Sequence, residues 1–432
     1  MIPVRKRLSP CLVLNTVYTD KFKTERISVY VKTPPHKRLT PIQSFVFSVL
    51  KRGSKRYPTQ KDINIRLDEL YSSSVSPFFR HGAIAHKMGF TAEMLATRYS
   101  DADTFSGSLE LLFDMFWNPL LDENGYFTSK NVEESRRVIC DSIKSVINNP
   151  KRYAVKRLFE IMYEDDLYFA SSNGTVDLIQ SVTDRELIEA YYDLVKNSSY
   201  EIFYTGTKSA EEIEAAVLPY FEKYKYGAAQ TIEGDVTFDV DTKKVKRVNE
   251  EMKLSQGKLV MGFKTGVNIT CGKDFYAMMT LNEIYGASPI SKLFMNVREK
   301  LGLCYYCSSA YGACKGCIHV SSGIEKDDLK KAEKEILKQL DDIKKGKITA
   351  FEFNAAKKSL INAHSEITDS AAVIERYYLV NSEFSVNDSI EDAKRKFAEV
   401  SLEDVIRVAQ NIKLDTVYFL SGKGGEEEEF DD

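Results

Sequence analysis

One arrangement of segments occurs twice along this chain, in the same order and at near-constant separation. RISVYVKTPP (26–35) alternates apolar and polar residues with the period of a half-buried strand, and KLVMGFKTGV (258–267) has the same length and the same Lys-Thr pair. Each leads into an apolar stretch of helical length, PIQSFVFSVLKRGS (41–54) and DFYAMMTLNEIYGAS (274–288), where Gly53 and Gly286 read as helix-ending residues. Further on, Thr183–Glu186 and Ser401–Asp404 each place a hydroxyl three residues before an acid. That is a capping box: the hydroxyl satisfies an orphan helix N–H and the acid reaches back to the cap. Each box opens an amphipathic helix that runs into a closing strand, SSYEIFYTG (198–206) or LDTVYFLSG (414–422). Four matched landmarks identify an internal repeat.

A repeated unit of several strands with helices in pairs, rather than strict strand–helix alternation, predicts an α+β fold. Each half is then a mostly antiparallel sheet with helices on one face. The expected organisation is a first half over 1–221, a polar, Gly-containing linker with one strand over 222–250, and a second half over 251–422. An acidic tail (423–432) reads as disordered. At 432 residues there is room for two or three such cores.

Composition narrows the function classes. Sixty basic residues against 63 acidic ones give a net charge of −3, without the basic excess that nucleic-acid binding demands. The apolar run near the N-terminus is too short for a secretory signal, and no window approaches the ~18 apolar residues of a membrane span. The expectation is a soluble, cytoplasmic protein without nucleic-acid or membrane partners. Seven cysteines, an odd number in a long chain, argue against a secreted disulfide framework.

The most specific motif is Arg298-Glu-Lys-Leu-Gly-Leu-Cys-Tyr305. An Arg fork donates several hydrogen bonds to a carbonyl or oxyanion, and a Tyr hydroxyl adds one more. By composition alone a solvated helix-end Arg and a core Tyr would serve as well. The segment, however, resembles the Arg-x-x-x-Gly-Leu-x-Tyr stretch in the second half of insulinase/pitrilysin-type zinc peptidases, the processing-peptidase-like family. The resemblance covers nearly the whole chain. It implies two homologous halves closing as a clamshell around a chamber, with Arg298 and Tyr305 holding the substrate main chain.

The same resemblance implies an inverted zinc motif, His-x-x-Glu-His, on the helix before a Gly-Ser turn in the first half. Two imidazoles one turn apart would hold the metal, with the Glu beside its water. With Gly53-Ser54 as anchor, the equivalent positions are Ser44, Phe47 and Ser48. The third ligand and its supporting acid fall at Asp141 and Glu134 in VEESRRVICDSIK (132–144). No imidazole is present and a phenyl ring replaces the general base. Without a Lewis acid the attacking water keeps its bulk pKa, so the expectation is no catalytic residue, no metal and no hydrolysis by the chain alone.

Two other metal sites deserve weighing. His81 and His86 lie in a hairpin-like stretch with a turn at Gly82 and read as surface residues on opposite faces of one strand. Cys304-x-x-Cys307 and Cys314-x-x-Cys317 have zinc-ligand spacing, but they fall on two antiparallel strands where each pair points to opposite faces. A structural zinc there is the minor reading. In this family inactive and zinc-bearing members pair. The resemblance therefore implies a bacterial, non-catalytic subunit that binds extended peptide and forms a heterodimer with a zinc-containing homologue, or self-associates. The alternatives are a pure scaffold and a hydrolase with an unrecognised metal site.

Overall fold

The computed structural model describes residues 2–82, 84–169, 171–224 and 244–422. The proposed acidic tail and residues 225–243 of the proposed linker lie outside them. Eleven strands form two sheets among the described residues. The first contains β1 (Val4–Ser9), β2 (Leu12–Tyr18), β3 (Thr24–Thr33), β4 (Ser74–Arg80), β5 (His86–Leu95) and β6 (Ser199–Gly206), in the order β1-β2-β6-β3-β5-β4. The second contains β7 (Lys246–Met252), β8 (Gly257–Lys264), β9 (Cys304–Gly312), β10 (Cys317–Ile324) and β11 (Lys413–Gly422), in the order β7-β11-β8-β10-β9.

Without β1, the two orders are the same order used twice. β2 runs parallel to β6 and β7 parallel to β11, and every other pairing is antiparallel. The α+β repeat read from the sequence is therefore present at the level of topology. Both capping boxes form: Thr183 and Ser401 accept from the N–H of Glu186 and Asp404, whose carboxylates accept from the cap N–H in return. The strand expected within 222–250 is β7, which continues past 250 and pairs with β11. Gly286 does not end a helix. It sits inside a π-helical turn, Glu283–Ala287, that continues the helix Lys273–Asn282.

The compact units are not continuous stretches of chain. The first takes the described residues of 1–145, 167–235 and 368–383; the second takes those of 146–166, 236–367 and 384–432. Each unit thus borrows one helix from the other half of the sequence. This corrects two expectations, the continuous halves and the single covered sheet face. In the first unit Ile27, Val29 and Val31 of β3 point into a core with Phe45, Phe47, Phe113 and Phe116. The alternate residues Arg26 and Tyr30 face the other way. There they meet Glu375 of the helix Ala371–Glu383. β3 is consequently buried along almost its whole length, not half-buried as its alternation suggests.

Glu375 is fully buried. Its carboxylate accepts from Arg26 Nε at 2.5 Å and from the Tyr30 hydroxyl, and Arg26 Nη1 also donates to Glu93 at 2.5 Å. Burial, reinforced by the Glu375 charge, holds the Tyr30 hydroxyl well above its ordinary pKa, so it stays a proton donor.

In the second unit the helix Pro150–Met162 plays the corresponding part. Ala154 and Leu158 pack with Val260 of β8 and with Tyr418 and Leu420 of β11. Gly262 makes the approach possible: a Cβ there would lie 2.8 Å from Met162 Sδ. Glu250 accepts from Arg157 at 2.7 Å, Tyr418 at 2.9 Å and Tyr153 at 3.2 Å.

Removing one partner of a buried charge network leaves the other desolvated and unpaired. Glu375→Ala is therefore expected to destabilise the protein by about 3–5 kcal/mol. Urea unfolding measures this, and a change below about 1 kcal/mol would mean that Arg26 and Tyr30 do not depend on it.

Candidate functional site

The positions equivalent to the zinc motif lie on the helix Leu39–Leu50, which packs beside the helix Ser129–Ser145. Phe47 is 2% exposed, stacked on Phe116 at 5.9 Å and edge-on to Phe90 at 5.5 Å. A carboxylate on that vector would be buried among aromatic rings with nothing to ionise against. Ser48 Oγ turns back to donate to the Ser44 carbonyl at 3.4 Å, and the Ser48 carbonyl accepts from Ser135 Oγ at 3.0 Å. Arg52 then spans the two helices, donating to Ser135 Oγ at 2.6 Å and to Glu134 at 2.8 Å. Asp141 stands exposed farther along the second helix.

The structure thus brings together Ser44, Ser48 and, through Arg52, Glu134. The cation at Glu134 is a guanidinium. Zinc requires three or four N, S or carboxylate donors at roughly 2.0–2.3 Å. Hydroxyls and a phenyl ring do not fit it, and among the described residues no three His, Cys, Asp or Glu side chains converge on a common point.

The second motif is built at the start of β9. Arg298 lies in a π-helical segment, Leu293–Lys300, which is capped through Leu301 and ended by Gly302 in the left-handed conformation (φ +60°). The Gly302 N–H donates to the Arg298 carbonyl at 3.0 Å. Here the glycine between Arg298 and Tyr305 has a physical reason: it turns the chain from helix into edge strand without a Cβ penalty. The Arg298 side chain is 40% exposed, and its guanidinium lies over the Phe294 ring at 4.6 Å with Glu299 at 3.6 Å.

Among the described residues β9 pairs only with β10, and its register slips once: Tyr306 faces Gly323 and Cys304 faces Ile324, so Tyr305 has no partner in the ladder. It is the extra residue of a β-bulge, a device that re-aims side chains at sheet edges. Tyr305 is 74% exposed, which rules out the core packing that a strand Tyr could have adopted.

The slip also corrects the expected facing of the first cysteine pair. Cys304 and Cys307 oppose Ile324 and Ser322, two residues apart on β10, and so share a face. Cys317 pairs near the other end of β10, opposite Gly312. From Cys317 to Ser322 the strand rises roughly 17 Å. The four thiols therefore form two separate pairs.

The histidine expectation changes too. His81 follows β4 and His86 opens β5, so the turn folds them together with ring centroids 5.1 Å apart. His86 is fully buried, and burial, reinforced by His81, pushes its imidazole down to about 4. It is a neutral core residue at neutral pH. Neither the bulge nor this burial has a signal in the local sequence.

Two α+β units share one strand order, and the helix pair at the expected zinc positions presents phenyl and hydroxyl groups there. Comparison with known proteins agrees. Residues 181–360 match the family model described as the Peptidase M16 inactive domain. The chain is 29% identical, over 96% of its length and 96% of the relative's, to the probable inactive metalloprotease YmfF of Bacillus subtilis strain 168. Among solved structures, a conserved protein from Enterococcus faecalis V583 superposes with a TM-score of 0.90 at 22% identity, covering 99% of this chain and 100% of that one. A peptidase M16 inactive domain from Pseudomonas fluorescens gives 0.80 at 16% identity, with 99% and 100% coverage. The chain is thus similar to the insulinase/pitrilysin-type peptidases, M16, by its family match over residues 181–360, by a relative described as probably inactive and by its fold.

If Phe47 has been absorbed into the core, Phe47→Ala should cost about 3–5 kcal/mol, the range for buried Phe truncations. Denaturant unfolding checks it; a loss within about 0.5 kcal/mol, as at surface sites, would contradict the packing described.

Proposed function

We propose that this chain is the inactive subunit of a peptide-processing pair in the cytoplasm: it binds extended peptide, and a zinc-bearing homologue supplies the metal. The observation that carries the reading is a contrast between two motifs of one family. Where the resemblance expects zinc ligands stand a buried Phe47 and an Arg52–Glu134 pair, whereas Arg298 and Tyr305 are exposed at the start of a sheet edge.

The chemistry on this side is binding and orientation. An extended peptide laid along β9 would exchange main-chain hydrogen bonds with the edge that β10 does not use, a mode tolerant of peptide sequence. Tyr305, displaced by the bulge, would donate its hydroxyl to a peptide carbonyl. Arg298 would swing its fork from Glu299 and the Phe294 ring to a second carbonyl or to the terminal carboxylate. The partner's metal would supply the lowered water pKa that Ser44, Phe47 and Ser48 cannot. No helix among the described residues is long and apolar enough to cross a membrane.

Peptide affinity, followed by fluorescence anisotropy with the zinc-bearing homologue present, tests the proposal. A charge-assisted hydrogen bond of about 1.5–3 kcal/mol predicts a loss of roughly 10- to 100-fold in Arg298→Ala. A neutral one predicts about 2- to 10-fold in Tyr305→Phe. Both variants alter exposed side chains and should fold normally. Unchanged affinity and unchanged partnered cleavage in both would leave a scaffold, with no peptide handled.

A further inference from the structure

The first cysteine pair has a geometry that a C-x-x-C spacing on a regular strand would forbid. Three residues along a strand reverse the side-chain direction and separate the Cα atoms by roughly 10 Å. At Tyr305 the bulge removes one residue from the count. Cys304 and Cys307 then oppose Ile324 and Ser322, which stand about 6.6 Å apart along β10, so both cysteines fall on one face. A spacing of that order is close to the roughly 4.4–6.8 Å between Cα atoms that a disulfide spans. The two side chains are close enough for each to shift the other's titration, and Ser322, opposite Cys307, donates its hydroxyl to the Tyr306 carbonyl at 3.0 Å.

The two thiols differ in access and in charge. Cys307 is 3% exposed, whereas Cys304 is half-buried at the first position of β9, next to the turn at Gly302. The neighbouring Cys307, then Ser322 and the nearby Arg298 charge, outweigh burial and draw the Cys304 thiol down to about 7. Cys307 is held well above its ordinary value, by the neighbouring Cys304 and by burial. One accessible thiolate with a protonated thiol close behind it is the arrangement of an attacking and a resolving cysteine.

We propose that Cys304 and Cys307 are a peroxide-oxidisable dithiol that closes a disulfide across the Tyr305 bulge. The Cys304 thiolate attacks one oxygen of hydrogen peroxide. The O–O bond breaks, a sulfenic acid forms, and the departing hydroxide takes up the proton that Cys304 has released. The Cys307 sulfur then attacks the Cys304 sulfur. The S–O bond breaks, and the oxygen leaves as water with the Cys307 proton. Two thiols lose two electrons and one peroxide becomes two waters; a dithiol reductant reverses the change. The product bridges the two residues that flank Tyr305 and Tyr306. It would therefore fix the bulge that aims Tyr305, whatever the ligand of that edge.

The test uses the full reduced chain, treated with hydrogen peroxide near neutral pH, then alkylated, digested and mapped by mass spectrometry. The expected product is a peptide containing both residues, unalkylated, lighter by two hydrogens and restored by dithiothreitol. In Cys307→Ser the sulfenic acid on Cys304 should persist and be captured by dimedone. In Cys304→Ser residue 307 should stay reduced. Before oxidation, the rate of iodoacetamide labelling at Cys304 should rise as pH increases through about 7. Near pH 7 it should exceed that of Cys317, which burial pushes up to about 11, by more than about a hundredfold. The proposal fails if Cys304 and Cys307 alkylate fully after peroxide while other cysteines are oxidised, or if Cys304 labels no faster than Cys317. The mapping in the unsubstituted chain decides the matter even if a variant does not fold.

Discussion

A carboxylate sealed from water is intolerable unless charge and hydrogen bonds answer it, and Glu375 is answered by Arg26 and Tyr30. That interaction determines how the first unit is built. Two residues of one central strand face outward from the main core, and a helix from near the chain's far end supplies what they need while covering that sheet face. Glu250 does similar work in the second unit, gathering Arg157, Tyr153 and Tyr418 where the helix Pro150–Met162 crosses the sheet. Apolar contact alone would leave such helices free to slide. The polar contacts, buried at Glu375 and half-buried at Glu250, specify where they stop.

At the positions where the family resemblance expects zinc ligands the interior is filled: Phe47 stacks on Phe116 and meets Phe90 edge-on, and the neighbouring acid Glu134 is held by Arg52. Arg298 and Tyr305 have not been absorbed in this way, and the turn at Gly302 together with the bulge keeps both at the surface.

Much of this was legible beforehand because it is local. The capping boxes at Thr183 and Ser401 are read within four residues, and the repeated strand–helix landmarks within a dozen. Arg298 and Tyr305 could be marked because their spacing is that of a known family. The failures have one origin. The burial of Tyr30 and Glu375 depends on a pairing across 345 residues. The shared face of Cys304 and Cys307 depends on how β10 counts against β9. His86 looked like a surface residue until the turn brought it under His81 and Phe79. A window sliding along the chain sees composition and period, but not which residue will be laid opposite.

The exchanged helices also bear on synthesis. Arg26 emerges early from the ribosome, yet its principal acceptor lies 349 residues later. Throughout most of translation the outer face of the first sheet lacks its cover, with a buried-type arginine and tyrosine open to solvent. Such a chain cannot finish its first unit before starting its second, and cutting it at the midpoint of the repeat would yield two fragments that each miss a helix. A repeat that reads as two beads on a string is, in three dimensions, a single folding problem.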